Sequence, residues 1–235
     1  MKLSTLLKTI DPISVCALQA ERTRGVEHGN TDQSHAPDGA QDAKLPDLDI
    51  DSIHYRAQEV QPAGLFVAIE GQTADGHNFV HQALQNGAVA IVTQKEPPQP
   101  YLKECLALVV KDQPIMIRVP DTRQAMADLS ARFFGNPSGD KTLIGVTGTN
   151  GKTTVAYLIE CILLQAGLKK GVNGTINYSN AAKKLSSPMK TPETPDHKRI
   201  MAQILSEGVN QVVIEASSHS INIYRIRSCW FEVAV

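Results

Sequence analysis

Leu143-Ile144-Gly145-Val146-Thr147-Gly148-Thr149-Asn150-Gly151-Lys152-Thr153-Thr154-Val155 runs from an apolar stretch, through a polar turn bracketed by glycines, into a helical pattern. Apolar residues recur at Val155, Leu158, Ile159, Ile162 and Leu163, the spacing of one helix face. A strand, a glycine-rich turn ending in Lys-Thr and a helix are the context of a phosphate-binding loop. Glycines let backbone N–H groups turn inward on a polyphosphate, and the helix N-terminus adds partial positive charge. Lys152 can then reach the terminal phosphates, and the Thr153 hydroxyl can ligate Mg²⁺. Val146 stands where the standard loop has its first glycine, so this is a compact variant. The bland alternative is a glycine-rich strand-to-helix turn with a surface lysine.

Composition narrows the class around that loop. A chain of 235 residues is long enough for two domains and for burial of about 70% of its unfolded surface. Net charge is -1 and the 23 basic residues are scattered, so no nucleic-acid partner is expected. The apolar runs fall far short of a membrane span, and the stretch after Met1 is too short for a secretory signal. No membrane partner is expected either. Cys16, Cys105, Cys161 and Cys229 form no metal-spaced pair. Cys161 in the helical pattern and Cys105 beside an apolar run read as core thiols, which fits a reducing cytoplasm.

Glu21 to Lys44 hold only Val26 and three alanines as apolar residues, too few to offset ordering entropy by burial. About 21–47 is therefore expected to be a mobile insertion. Beyond it, Leu65–Ile69 and Val89–Val92 read as buried strands, with a short helix at Phe79–Leu84 stopped by Asn86-Gly87 between them. Further strands are expected at Ala107–Val110 and Ile115–Val119, then an amphipathic helix to Phe134 with Asp121 as N-cap. Gly135-Asn136-Pro137-Ser138-Gly139 reads as a linker, which divides the chain into residues 1–137 and 138–235. After the phosphate loop come a helix near Pro195–Glu207, a buried strand at Gln211–Ile214 and another at Phe231–Val235. Strands alternating with helices predict an α/β fold with parallel sheets.

Glu215 lies at the C-terminal end of an apolar strand, where open α/β sheets place ligand groups, and suits direct or water-mediated Mg²⁺ binding. An acid that merely caps the next segment is the alternative. His219 adjoins Ser217 and Ser218, but neighbours in sequence are not a catalytic triad, and no nucleophile elbow is present. Arg225 offers a planar fork suited to a carboxylate or phosphate.

Together, Gly148–Thr154, Lys190-Thr191-Pro192-Glu193 and Glu215-Ala216-Ser217-Ser218-His219 with Arg225 resemble the Mur ligases, the ATP-dependent amide ligases of peptidoglycan precursor synthesis. Gly64–Ile69 through Gly71, Asp75-Gly76-His77 and Gly87-Ala88 look like that family's uridine-nucleotide-binding domain. The members most similar in motif add meso-diaminopimelate or L-lysine to UDP-N-acetylmuramoyl-L-alanyl-D-glutamate. The resemblance implies a small N-terminal α/β uridine-nucleotide-binding domain followed by a P-loop parallel-sheet domain. It implies ATP held by Gly148, Thr149, Asn150, Gly151, Lys152, Thr153 and Thr154, with Lys152 and Glu215 catalytic and Thr153 and Glu215 on Mg²⁺. Gln72, Thr73 and Ala74 would lie near the uridine end of the UDP-N-acetylmuramoyl-dipeptide, and Lys190, Thr191, Ser217 and Arg225 would contact that precursor. The sequence departs from the family pattern at His54-Tyr55-Arg56, Met189, Lys190 and Ile223.

The implied reaction phosphorylates the precursor's D-glutamate carboxylate, and the amine of a diamino acid then displaces phosphate from the acyl phosphate. The family continues past the position of Val235 into further metal-binding residues and an amino-acid-binding domain. The chain is accordingly expected to be truncated and inactive alone, and a monomer when complete. Other readings are a non-catalytic nucleotide- or precursor-binding module, a folylpolyglutamate synthetase-like enzyme, or a ligase adding D-alanyl-D-alanine.

Overall fold

Two sheets organise the chain, one on each side of the Gly135–Gly139 turn. The computed structural model describes residues 1–17, 46–71, 74–95, 113–139, 141–168 and 193–235, and the backbone of 170–173, 177–179 and 184–186. The expected insertion up to residue 45, the Ala107–Val110 strand, Cys105, Gln72, Thr73, Met189, Lys190 and Thr191 lie outside the described residues.

The first sheet contains β1 (Ser14–Ala17), β2 (Ser52–His54), β3 (Gly64–Val67), β4 (Ala88–Thr93) and β5 (Ile115–Arg118), in the order β1-β5-β4-β3-β2. β2 to β5 run parallel, and β1 pairs antiparallel with β5. Inner parallel strands are covered on both faces, which is why β3 and β4 read as continuous apolar runs. Side chains alternate between those faces. Leu65, Val67, Val92 and Ile117 meet Leu3, Leu6, Ile50, Met126 and Leu129 on one side. Phe66, Ala68 and Ile91 meet Val80, Ala83 and Leu84 on the other. Full burial of a side chain of this size is worth roughly 1.5–3 kcal/mol.

The helix Val80–Gln85 follows a single 3₁₀ turn at Gly76–Phe79, and Gly87 stops it with a φ of 96° that a Cβ would oppose. The helix Thr122–Phe133 starts where expected, because the Asp121 carboxylate accepts from the backbone N–H groups of Arg123 at 2.8 Å and Gln124 at 3.0 Å.

The second sheet contains β6 (Thr142–Val146), β7 (Lys170–Asn173), β8 (Asn177–Ser179), β9 (Lys184–Ser186), β10 (Gln211–Glu215) and β11 (Val233–Ala234), in the order β11-β6-β10-β7-β8-β9. β11, β6, β10 and β7 are parallel, and β8 and β9 extend the sheet as an antiparallel edge. One face packs Leu143, Val212 and Ile214 on Met201 and Ile204 of the helix Thr194–Ser206. The other packs Val146 and Val213 on Ala156 of the helix Lys152–Gln165.

Three expectations need correction. Cys161 is exposed, as is Cys16. Leu158 and Ile162 are also outward, at 59% and 67% exposure, because among the described residues the helix packs on the sheet through Val155, Ala156, Ile159 and Leu163. A helix apolar on several sides does not reveal which stripe is buried. Finally, Phe231–Val235 is not a buried strand: its strand is Val233–Ala234, at the sheet edge, and both residues are exposed.

The two sheets are joined through side chains as well as sequence. The helices Thr122–Phe133 and Thr194–Ser206 pack together. The Arg227 Nε–H donates to both Asp128 carboxylate oxygens, at 2.9 and 3.1 Å, and the Tyr55 hydroxyl donates to Asp196 at 3.1 Å.

Candidate functional site

The register of the second sheet builds the site. β10 and β6 pair with Glu215 opposite Val146, so the acid at the end of one strand stands beside the loop leaving the other. Gly148 and Gly151 take φ values of 133° and 79°, and Gly151 is the N-cap of the helix Lys152–Gln165. These are the conformations for which the turn needs glycine. Lys152 lies back over the loop, its Nζ donating to the carbonyls of Gly148 at 2.7 Å and Thr149 at 3.4 Å. A terminal phosphate would exchange those neutral acceptors for charged oxygens, which make the stronger hydrogen bonds.

The Thr153 hydroxyl donates to the Glu215 carboxylate at 2.9 Å. A hydroxyl and a carboxylate are hard oxygen donors, the set that suits Mg²⁺, whose other positions water and phosphate can fill. Among the described residues no group of three or more His, Cys, Asp and Glu side chains gathers as a metal cage.

Downstream, the Ser217 hydroxyl caps the short helix Ser218–Asn222, accepting from the Ser220 N–H at 3.1 Å. His219 is exposed. This is a local cap, not a nucleophile held by a base. Arg225 follows Tyr224, whose φ of 60° is unusual for a residue with a Cβ, and its Nη2 donates to Glu193 at 2.9 Å.

In the first sheet, the loop after β3 is closed by hydrogen bonds from Gly71 N to Ala74 O and from Gly76 N to Ile69 O, both 2.9 Å. Ala74 is exposed on it. A Cβ on Gly76 would meet Ile69 N at 2.8 Å, so the close turn excludes a side chain there. His77 is buried, joined to Asp75 through Nδ1 and accepting the Gln94 N–H at Nε2. Burial pushes the Asp75 carboxyl up, but hydrogen bonds from Lys95 and His77 outweigh it and hold the group down at about 2.

Of the expected residues, the structure brings together Lys152, Thr153 and Glu215, and places Ser217 and Arg225 on the segment that follows β10. Two further residues had no assigned role in the sequence. The Glu193 carboxylate lies between Arg225 and Arg123, with Arg123 Nη1 at 3.4 Å, and Arg123 Nη2 donates to the Glu70 carbonyl at 3.0 Å. Glu193 had a signal in its motif. Arg123 had none.

Comparison with known proteins adds to this geometry. A family profile described as the Mur ligase middle domain matches residues 146–235, and one described as the Mur ligase family, catalytic domain, matches residues 49–134. Among curated relatives, a UDP-N-acetylmuramoyl-L-alanyl-D-glutamate--2,6-diaminopimelate ligase of Caldanaerobacter subterraneus subsp. tengcongensis is 38% identical over 190 residues, 81% of this chain and 37% of its own. The protein of the same name from Halalkalibacterium halodurans is 42% identical over 188 residues, covering 80% of this chain and 36% of its own. That from Geobacter sulfurreducens is 34% identical over 235 residues, 100% of this chain and 39% of its own. The chain thus spans between a third and two fifths of the length of these relatives. A solved structure described as UDP-N-acetylmuramoyl-L-alanyl-D-glutamate--2,6-diaminopimelate ligase aligns with a TM-score of 0.64 at 24% identity, over 79% of this chain and 35% of its own, which shows a shared fold.

Proposed function

We propose, for a chain that belongs to the Mur ligase family through its N-terminal and middle domains, that it forms the precursor- and ATP-binding part of an amide ligase. Met1 to Pro137 would take the uridine end of UDP-N-acetylmuramoyl-L-alanyl-D-glutamate, and Ser138 to Val235 would take Mg·ATP. The whole protein is then an ATP-dependent acid–amino-acid ligase of peptidoglycan synthesis, working in the cytoplasm and adding a diamino acid as third residue. The observation that carries this reading is the Thr153–Glu215 contact at the mouth of the glycine loop.

Lys152 and the loop N–H groups would bind and orient the triphosphate, and Thr153 and Glu215 would hold Mg²⁺, which supplies charge neutralisation in phosphoryl transfer. Arg225, Ser217 and the Lys190-Thr191 pair would keep the precursor's carboxylate in line with the terminal phosphate. Ala74, with Gln72 and Thr73, would meet the uridine end. Attack of the carboxylate on that phosphate gives an acyl phosphate and ADP. An incoming amine then forms the amide and releases phosphate.

Calorimetry on the 235-residue chain tests the two binding halves. Mg·ATP and UDP-N-acetylmuramoyl-L-alanyl-D-glutamate should each bind with saturable heats, and Glu215→Gln should weaken the first while sparing the second. A chain that binds neither ligand, or a Glu215→Gln variant that loses both equally, contradicts the reading.

A further inference from the structure

One contact network runs from the first sheet to the second through Arg123, Glu193 and Arg225. Glu193 is the N-cap residue of the helix Thr194–Ser206, its backbone carbonyl accepting the His197 N–H at 3.0 Å, with a proline in the first turn. The carboxylate is thus fixed to a rigid element. One oxygen takes Arg225 Nη2 at 2.9 Å and the other faces Arg123 Nη1 at 3.4 Å. All three side chains are mostly buried, with exposures of 15% for Arg225, 22% for Arg123 and 13% for Glu193. Arg225 Nε is itself buried with no partner among the described residues, so Glu193 is the group that anchors this fork. Two guanidiniums on one carboxylate leave a net positive charge, and an anion is still welcome.

The other arm leads to the uridine loop. Arg123 Nη2 donates to the carbonyl of Glu70, which pairs with Asp75 across the Gly71–Ala74 turn. A flexible arginine gains in binding only what it does not lose in ordering, and side-chain ordering of Arg is among the costliest. Prior anchoring by Glu193 removes that loss.

Resting on the function proposed above, we infer that Glu193 is a positioning residue: held by Arg123, it presets Arg225 for a carboxylate of the dipeptide end of the precursor. Its action goes through Arg225. The ligand property it governs is the gain in affinity that the dipeptide adds to UDP-N-acetylmuramic acid.

The experiment titrates the full chain with UDP-N-acetylmuramic acid and with UDP-N-acetylmuramoyl-L-alanyl-D-glutamate, using the wild type, Glu193→Ala, Glu193→Gln, Arg225→Ala and the Glu193→Ala/Arg225→Ala double variant. In Glu193→Ala the dipeptide's gain should fall about tenfold, while affinity for UDP-N-acetylmuramic acid holds at a temperature where the variant stays folded. Glu193→Gln, which keeps an acceptor for Arg225, should restore part of the gain. The double variant should be no worse than Arg225→Ala alone. An unchanged gain, a tighter dipeptide complex, additive losses, or parallel loss of both ligands would overturn the inference. A wild type that gains nothing from the dipeptide overturns the functional reading itself, and the inference with it.

Discussion

The first sheet carries a large buried cluster on each face; the second carries a large one on one face and a smaller one, Val146, Ala156 and Val213, on the other. Phe66, Leu65, Ile91, Ile117, Met126 and Leu129 are all within 1% of complete burial, drawn from strands and helices on either side of the first sheet. The helix Lys152–Gln165 buries only Ala156 fully, and leaves Tyr157, Leu158, Ile162 and Leu164 outward. The Gly148–Thr154 loop leads into this more lightly packed helix, and the more deeply buried unit carries the closed Gly71–Gly76 turn.

Truncation on the two sides should separate them most. Phe66→Ala should cost about 3–5 kcal/mol in denaturant unfolding. Ile162→Ala, removing as apolar a group from the exposed helix face, should stay within about 0.5 kcal/mol. Equal losses would dissolve the contrast.

Acid should separate His197 from Asp75 next. His197 is buried, with both ring nitrogens lacking partners among the described residues. Burial, helped by the charges of Lys198 and Arg225, pushes its pKa from 6.5 down to about 3. The unfolded chain then binds a proton that the folded one refuses, so stability falls as pH drops below 6.5, until about 3. The slope from this one group is at most about 1.4 kcal/mol per pH unit. His197→Gln should flatten it in urea titrations run across that window. Asp75 acts in the same sense at lower pH: its lowered pKa contributes stability above its unfolded value of 3.8, lost as pH falls toward about 2. Acid sensitivity above pH 4 would then come from His197 together with His54 of the first sheet, whose pKa burial also lowers, and Asp75→Asn should leave it untouched.

A smaller effect belongs to the cap. Asp121→Ala removes the acceptor of two backbone N–H groups and should cost about 1 kcal/mol, with Asp121→Asn recovering much of it, as thermal melts would show.

Much of this was legible because the signals are local. Asp121 precedes an apolar rhythm, Gly87 and Gly208 end helices, and the acid after Val212-Val213-Ile214 sits at a strand end. Thr153 and Glu215 each stood out by motif and position, and the parallel pairing of β6 with β10 brings the two side chains together. What escaped depends on pairing across the chain. Ser14–Ala17 forms a strand only because Ile115–Arg118 offers an open edge. Arg123 meets Glu193 from 70 positions away, with nothing in its own neighbourhood to announce it. Cys161 was misread for a different reason: apolar residues surround it in sequence, and only the placement of the helix shows that they face out.

The central claim is that Gly148–Thr154 is a phosphate loop completed by Glu215, and titration of Mg·ATP into wild type and Lys152→Ala tests it most directly. Hydrogen bonds to charged groups are worth about 1.5–3 kcal/mol each, so the variant should bind at least about tenfold more weakly while its melting temperature holds. Equal affinity in the two proteins would show that Lys152 never meets the triphosphate, and the loop would be a glycine-rich turn and nothing more.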